Sequence, residues 1–187
     1  MDRRGAVLDA VERLVLREGV QAVSMRAIAK EAGVSLRLVQ YYGSSKAELL
    51  DGALARLSER SLADWRDRMA GAETAREVLA AFFNAALPVD EERCAFHRFG
   101  VSLEQLALTG KDDAGQFYTV HIGLVVAAIT SALAAFLGER RAQRVAESVV
   151  AFSHGLGTLV MTGLVTADSA ETLIACYLDQ LEAASED

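Results

Sequence analysis

An all-α fold is predicted by three observations on this 187-residue chain. Its composition is 52% hydrophobic with a single proline. Its apolar residues recur at three and four positions rather than two, the spacing of a helix face. Its segments open on Ser/Thr-x-x-Glu/Gln or similar caps and close on glycine, the punctuation that helices use. Together they divide the chain into a small helical head, residues 1–45, and a larger helical body, residues 46–187.

In the head, Arg3–Glu18 carries Val7, Val11, Leu14 and Val15 on one face, and Gly19 stops it. Ser24 stands at an N-cap position ahead of a short helix that runs to about Ala32. The run Ala29, Gly33, Val34, Val39 then has the spacing of a helix-turn-helix. Alanine allows the second helix to cross closely, glycine supplies the left-handed turn, and the valines close the core between the two helices. Ser35 is placed to cap the second helix, whose first turns present Leu36, Arg37, Leu38, Gln40 and Tyr41. A helix held in this way fits a DNA major groove. Gly43 is placed to end it, and Ser45-Lys46-Ala47-Glu48 reads as a capping box for the next helix.

The body opens with a helix from Lys46 to about Met69, striped by Leu50, Leu54, Leu57 and Trp65 and ended by Gly71. At 1.5 Å per residue it spans roughly 35 Å. Thr74-Ala75-Arg76-Glu77 is a second capping box, opening a helix with Val78, Leu79, Phe82, Phe83 and Ala86 that stops at Pro88. Asp90–Leu108 follows, with Phe96, Phe99, Leu103 and Leu106 on one face. A helix opened by Asp113 then repeats Tyr118, Ile122, Val125, Ile129, Ala132 and Phe136 up to Gly138. The last pair spans about Glu139–Val165 and Asp168–Ala184, the second capped by Asp168 and Glu171. The first of these is apolar on nearly all sides and carries Gly155, Gly157 and Gly163, so it calls for cover from more than its own chain.

Net charge is −7, but it is uneven: residues 1–50 hold eight Lys+Arg against six Asp+Glu, and the remainder eleven against twenty. A basic head on an acidic body suits oriented DNA binding and argues against nonspecific coating of nucleic acid. Cys94 and Cys176 are too few and too distant for a metal framework, and reduced thiols are expected. The charged start MDRR shows no signal peptide, and the apolar stretch Ile122–Gly138 is shorter than a membrane span, so a cytoplasmic protein is expected.

The run IAKEAGVS, the aromatic pair Tyr41-Tyr42 and the following SKAELL resemble the DNA-binding head of the tetracycline-repressor (TetR) family of bacterial transcriptional regulators. The likeness is strong over the first fifty residues and looser beyond. The chain departs from the family pattern at Arg37, where a small residue is usual, at Gln40, where tyrosine is usual, and at Gly43, where phenylalanine is usual; Tyr42 is expected to fill part of that space. Arg and Gln pair bidentately with guanine and adenine, which makes Arg37 and Gln40, with Leu36, the candidates for base edges. Ser24, Arg26, Ser35, Tyr41, Tyr42 and Lys46 are candidates for the rest of the DNA contact, chiefly phosphates.

The resemblance also implies a palindromic operator bound by a homodimer, a small apolar or aromatic effector in the body, and a dimer built on the last two helices. Candidate effector residues are Trp65, Phe82, Phe96, Phe99, Phe117 and His121; candidate interface residues are Phe152, Leu156, Leu159, Val160, Leu173, Tyr177 and Leu181. From the residues alone, the aromatic set reads equally as filled core. His97, His121 and His154 lie on three different helices with no metal-ligand spacing, so no metal, cofactor or catalytic role is expected. A helical ligand carrier that does not bind DNA is the alternative reading.

Overall fold

The computed structural model describes residues 2–110 and 114–184. Among them are nine α-helices and no strand. Helix α1 is Arg3–Glu18, α2 Met25–Ala32, α3 Leu36–Tyr42, α4 Lys46–Arg68, α5 Ala75–Ala86, α6 Glu91–Thr109, α7 Ala114–Leu137, α8 Glu139–Met161 and α9 Ala167–Ala183. They form two compact units, Met1–Glu59 with Arg98–His121, and Arg60–His97 with Ile122–Asp187. Helices α4, α6 and α7 contribute residues to both.

In the first unit α1, α2 and α3 pack on one another around Val7, Val11, Ile28 and Val39, each completely buried. Gly33 adopts φ +65°, the left-handed value that the helix-turn-helix turn demands. The start of α4 completes this core with Leu49, Leu50, Ala53 and Leu54. Ion pairs fasten the outside. Glu31 of α2 accepts from Arg13 at 2.8 Å and Arg17 at 2.9 Å, joining α2 to α1. Arg56 of α4 reaches Asp9 and Glu12 of α1, with its Nε 3.0 Å from Glu12, and donates to the Gly5 carbonyl.

The second unit is organised around Trp65, which is 2% exposed and donates from Nε1 to the Val78 carbonyl at 3.2 Å. Phe82 meets the Trp65 ring edge to face at 5.7 Å, and Phe83 meets both Phe152 and Tyr177 in the same manner. Ile129 and Leu133 of α7 and Ala142, Val145, Ala146 and Val149 of α8 close the core. The Thr74–Glu77 capping box is made in both directions, as its spacing predicts.

Several details differ from expectation. The cap of α9 is Thr166, which accepts from the Ser169 amide at 3.2 Å, while Asp168 falls inside the first turn. At α4 Ser45 caps the Glu48 amide, but the Glu48 carboxylate returns to the amide and hydroxyl of Ser44, both at 2.7 Å, rather than to Ser45. Phe136 is 41% exposed, because Leu133 occupies the inward face one turn earlier. The apolar segment of α7 is longer than Ile122–Gly138: Gln116–Leu137 is long and apolar enough to cross a membrane by length and composition. The expected cap Asp113 lies outside the described residues.

Candidate nucleic-acid interface

Helix α3 is seven residues long and starts on a cap in which Ser35 Oγ accepts from the Leu38 amide at 3.2 Å. Val39 is fully buried against the head core, which turns the opposite face of the helix outward. Arg37 and Gln40 are exposed on that face, Leu36 is at 36% and Tyr41 at 79% exposure. The spacing of 36, 37, 40 and 41 puts all four on adjacent turns of one side. Tyr42 is half-buried and meets the Tyr41 ring edge to face at 5.2 Å. Ser24 caps α2 by accepting from the Ala27 amide, leaving its hydroxyl proton to donate elsewhere. Arg26 is exposed one residue into α2, and Lys46 stands half-buried at the first position of α4.

Gly43 follows α3 with an extended backbone, φ −163°, so its value lies in its missing side chain. A Cβ built there would lie 2.6 Å from both Cγ and Cδ2 of Leu49. The space beside Gly43 therefore belongs to Leu49, 1% exposed, more than to Tyr42.

The charges of the head are sorted. Asp2 caps α1, Asp9 and Glu12 hold Arg56, Glu18 and Glu31 hold Arg17, and Glu48 holds Ser44. The arginine hydrogen bonds, from Arg17 first and then Arg13, hold Glu31 down to about 2, so it stays ionised at neutral pH. Among the described residues of the head, Arg3, Arg4, Arg26, Lys30, Arg37 and Lys46 have no carboxylate partner. These cations remain available to phosphates. Arg26 and Lys30 share a helix face by their i, i+4 spacing, a signal present in the sequence. The Glu31 and Arg56 clamps connect residues 14 to 47 positions apart, and helix periodicity carries no information about them.

The candidate effector residues are distributed between the two units. Trp65 and Phe82 are in the packed core of the second, Phe99 is fully buried in the first, and Phe96 and Phe117 are half-buried. His121 shares a hydrogen bond with Ser58 at 2.8 Å. Ser58 Oγ donates to the Leu54 carbonyl at 2.7 Å, so at this contact it accepts from the imidazole. Burial holds the His121 pKa below its ordinary value. His97 belongs to the second unit, where its ring lies 5.5 Å from that of His154 and its Nε2 3.2 Å from Thr158 Oγ1. Gly157 leaves room for that ring. Among the described residues no group of three His, Cys, Asp or Glu is placed to hold a metal ion. A groove of about 770 Å³ lies elsewhere in the second unit, lined by Gly123, Val126, Ala127, Thr130, Ser131 and Ala134 of α7 and Glu139, Arg140 and Gln143 of α8.

Of the candidate interface residues, Leu156 is 3% exposed within its own protomer, and Phe152 and Tyr177 stack on each other at 4.3 Å. Val160 and Leu181 are half-buried, whereas Leu159 and Leu173 are 38% and 43% exposed.

Residues 7–53 match the family described as bacterial regulatory proteins, tetR family. The HTH-type nicotine-responsive transcriptional repressor HdnoR of Paenarthrobacter nicotinovorans is 35% identical over 42% of this chain, a stretch that spans only 40% of that relative's length. The HTH-type transcriptional regulator BetI of Brucella canis is 27% identical over 91% of this chain and 86% of its own. A crystal structure described as a TetR-family transcriptional regulator from Rhodococcus sp. superposes with a TM-score of 0.85 at 19% identity, covering 96% of this chain and 97% of that one, and so shares the fold. The head that residues 7–53 build is thus similar to that of the tetR family of bacterial regulatory proteins.

Proposed function

We propose that the protein is a ligand-responsive transcriptional regulator, a repressor that binds a palindromic operator as a homodimer in the cytoplasm. The observation that carries this reading is the sorted charge of the head: among the described residues its carboxylates are engaged internally, six cations have no carboxylate partner, and Arg37 and Gln40 stand on the outward face of α3. Phosphate contacts from Ser24, Arg26, Tyr41 and Lys46 would orient the head, and Arg37 and Gln40 would read base edges.

Residues 1–45 act as the reading head and 46–187 as the responding and dimerising body. Two heads bind successive major grooves, ~34 Å apart. A small apolar or aromatic effector in the body favours a state whose recognition helices no longer match that spacing. A tenfold preference for that state corresponds to about 1.4 kcal/mol. The repressor sign and the effector class are supported by the nicotine-responsive repressor among the relatives.

A polarisation titration with duplex DNA flanking the protein's own gene tests this. Specific, salt-sensitive binding that falls in the Arg37→Ala and Lys46→Ala proteins is expected. Absence of specific binding, or variants that bind like the parent, would favour a helical ligand carrier.

A further inference from the structure

Two histidines that stand far apart in the sequence come together in the second unit. His97 of α6 and His154 of α8 lie with their ring centroids 5.5 Å apart and their planes inclined at 34°. Both are half-buried, so each keeps part of its surface within reach of solvent.

The tautomer of His97 follows from its neighbours. Thr158 Oγ1 has one proton and gives it to the His154 carbonyl at 3.1 Å, so at its 3.2 Å contact with His97 it accepts from Nε2–H. The neutral ring therefore carries its lone pair on Nδ1. Gly157 locates that nitrogen: an added Cβ there would stand 2.9 Å from Nδ1 and 2.6 Å from Cε1 of His97. Positions 154 and 157 are neighbours on one face of α8, so Nδ1 of His97 sits over the turn that carries His154. A metal-binding imidazole is held in this manner, with one nitrogen donating to a fixed acceptor while the other faces the ion.

The spacing also suits a shared ion. With Zn–N near 2.1 Å, two imidazoles at a tetrahedral angle have centroids roughly 5 Å apart, close to the separation found here. A phenyl ring at position 97 would fill the same space without using the Thr158 hydroxyl.

We propose that His97 and His154 form a two-histidine site for a divalent transition-metal ion, Zn²⁺ in the first instance, with Thr158 as the positioning residue. Two neutral nitrogens select such an ion over Mg²⁺ and Ca²⁺, which take oxygen ligands. Cys94 lies one turn before His97 on α6, but its thiol donates to the Pro88 carbonyl at 3.3 Å, so water completes the coordination. The site is complete within one chain and needs neither the operator nor the dimer. An ion bound there ties α6 to α8 and stabilises the folded chain by mass action.

Calorimetric titration of the untagged full chain with Zn²⁺, its melting temperature followed alongside, tests the site. One ion per chain is expected, with a melting temperature that rises in Zn²⁺ and stays unchanged in Mg²⁺. His97→Gln and His154→Gln should each weaken Zn²⁺ binding at least tenfold, and Thr158→Val, which keeps both ligands, by about 10–100-fold. Electron paramagnetic resonance of the Cu²⁺-loaded parent reads the ligands without relying on any variant to fold, and coupling to a pair of imidazole nitrogens is expected. Absence of saturable Zn²⁺ uptake, or a Cu²⁺ spectrum without paired nitrogens, would overturn the site. Uptake that survives both histidine variants would mark an adventitious ion only and overturn it as well.

Discussion

The head and the second unit treat charge in opposite ways. In the head the carboxylates are spent on caps and on Arg13, Arg17 and Arg56, and cations are left over. In the second unit it is the cation that is spent: Arg76 of α5 holds both Asp179 and Glu182 of α9 at 2.8 Å, and α9 itself contains no Lys or Arg. The sequence totals for residues 1–50 and 51–187, mildly basic and strongly acidic, have the same signs but understate the contrast. What a surface offers a polyanion is its unpaired charge.

That contrast can be broken most severely at the reading face. Arg37→Ala and Gln40→Ala should each cost about 1–3 kcal/mol of specific binding and relax the preference at one base position, read by competition with substituted duplexes. A comparable loss, in stability, is expected from Gly43→Ala. Its methyl would press on the buried Leu49 side chain, and overpacking of this kind costs typically 1–3 kcal/mol; a lowered melting temperature is the readout.

A smaller effect sharpens the charge comparison directly. Lys46→Ala should reduce the slope of log K against log salt by about 1, whereas Arg76→Ala, which is committed to carboxylates of its own unit, should leave that slope unchanged. The smallest change is confined to acid. The Glu31 pKa is depressed in the folded chain, so its contribution to stability is complete above the ordinary glutamate range near 4.3 and is lost as pH falls toward about 2. Glu31→Gln should therefore flatten the acid limb of the stability profile in that window, measured by urea unfolding at successive pH values.

The same division explains how much was legible in the sequence. Caps and turns are local chemistry, so Ser24, Ser35, Gly33 and the Thr74–Glu77 box could be placed from spacing alone, and the helix-turn-helix with them. Caps failed only where two hydroxyls or carboxylates compete within a few residues, as at Ser44/Ser45 and Thr166/Asp168. Packing is not local. Nothing in the spacing of Trp65 and Phe82 distinguishes rings that line a cavity from rings that fill one, and nothing near Leu156 says that its helix turns it inward. The outer groove was invisible for a related reason: its floor is made of small residues, which register in a sequence as weak helix core rather than as a surface.

The central claim is that two copies of α3 present Arg37 and Gln40 to base pairs on one face of a duplex. Footprinting the parent protein on DNA flanking its own gene tests it most directly. Two protected patches centred one helical turn, ~34 Å, apart are predicted, both lost in the Arg37→Ala protein. A single patch, or protection that survives Arg37→Ala undiminished, would contradict it.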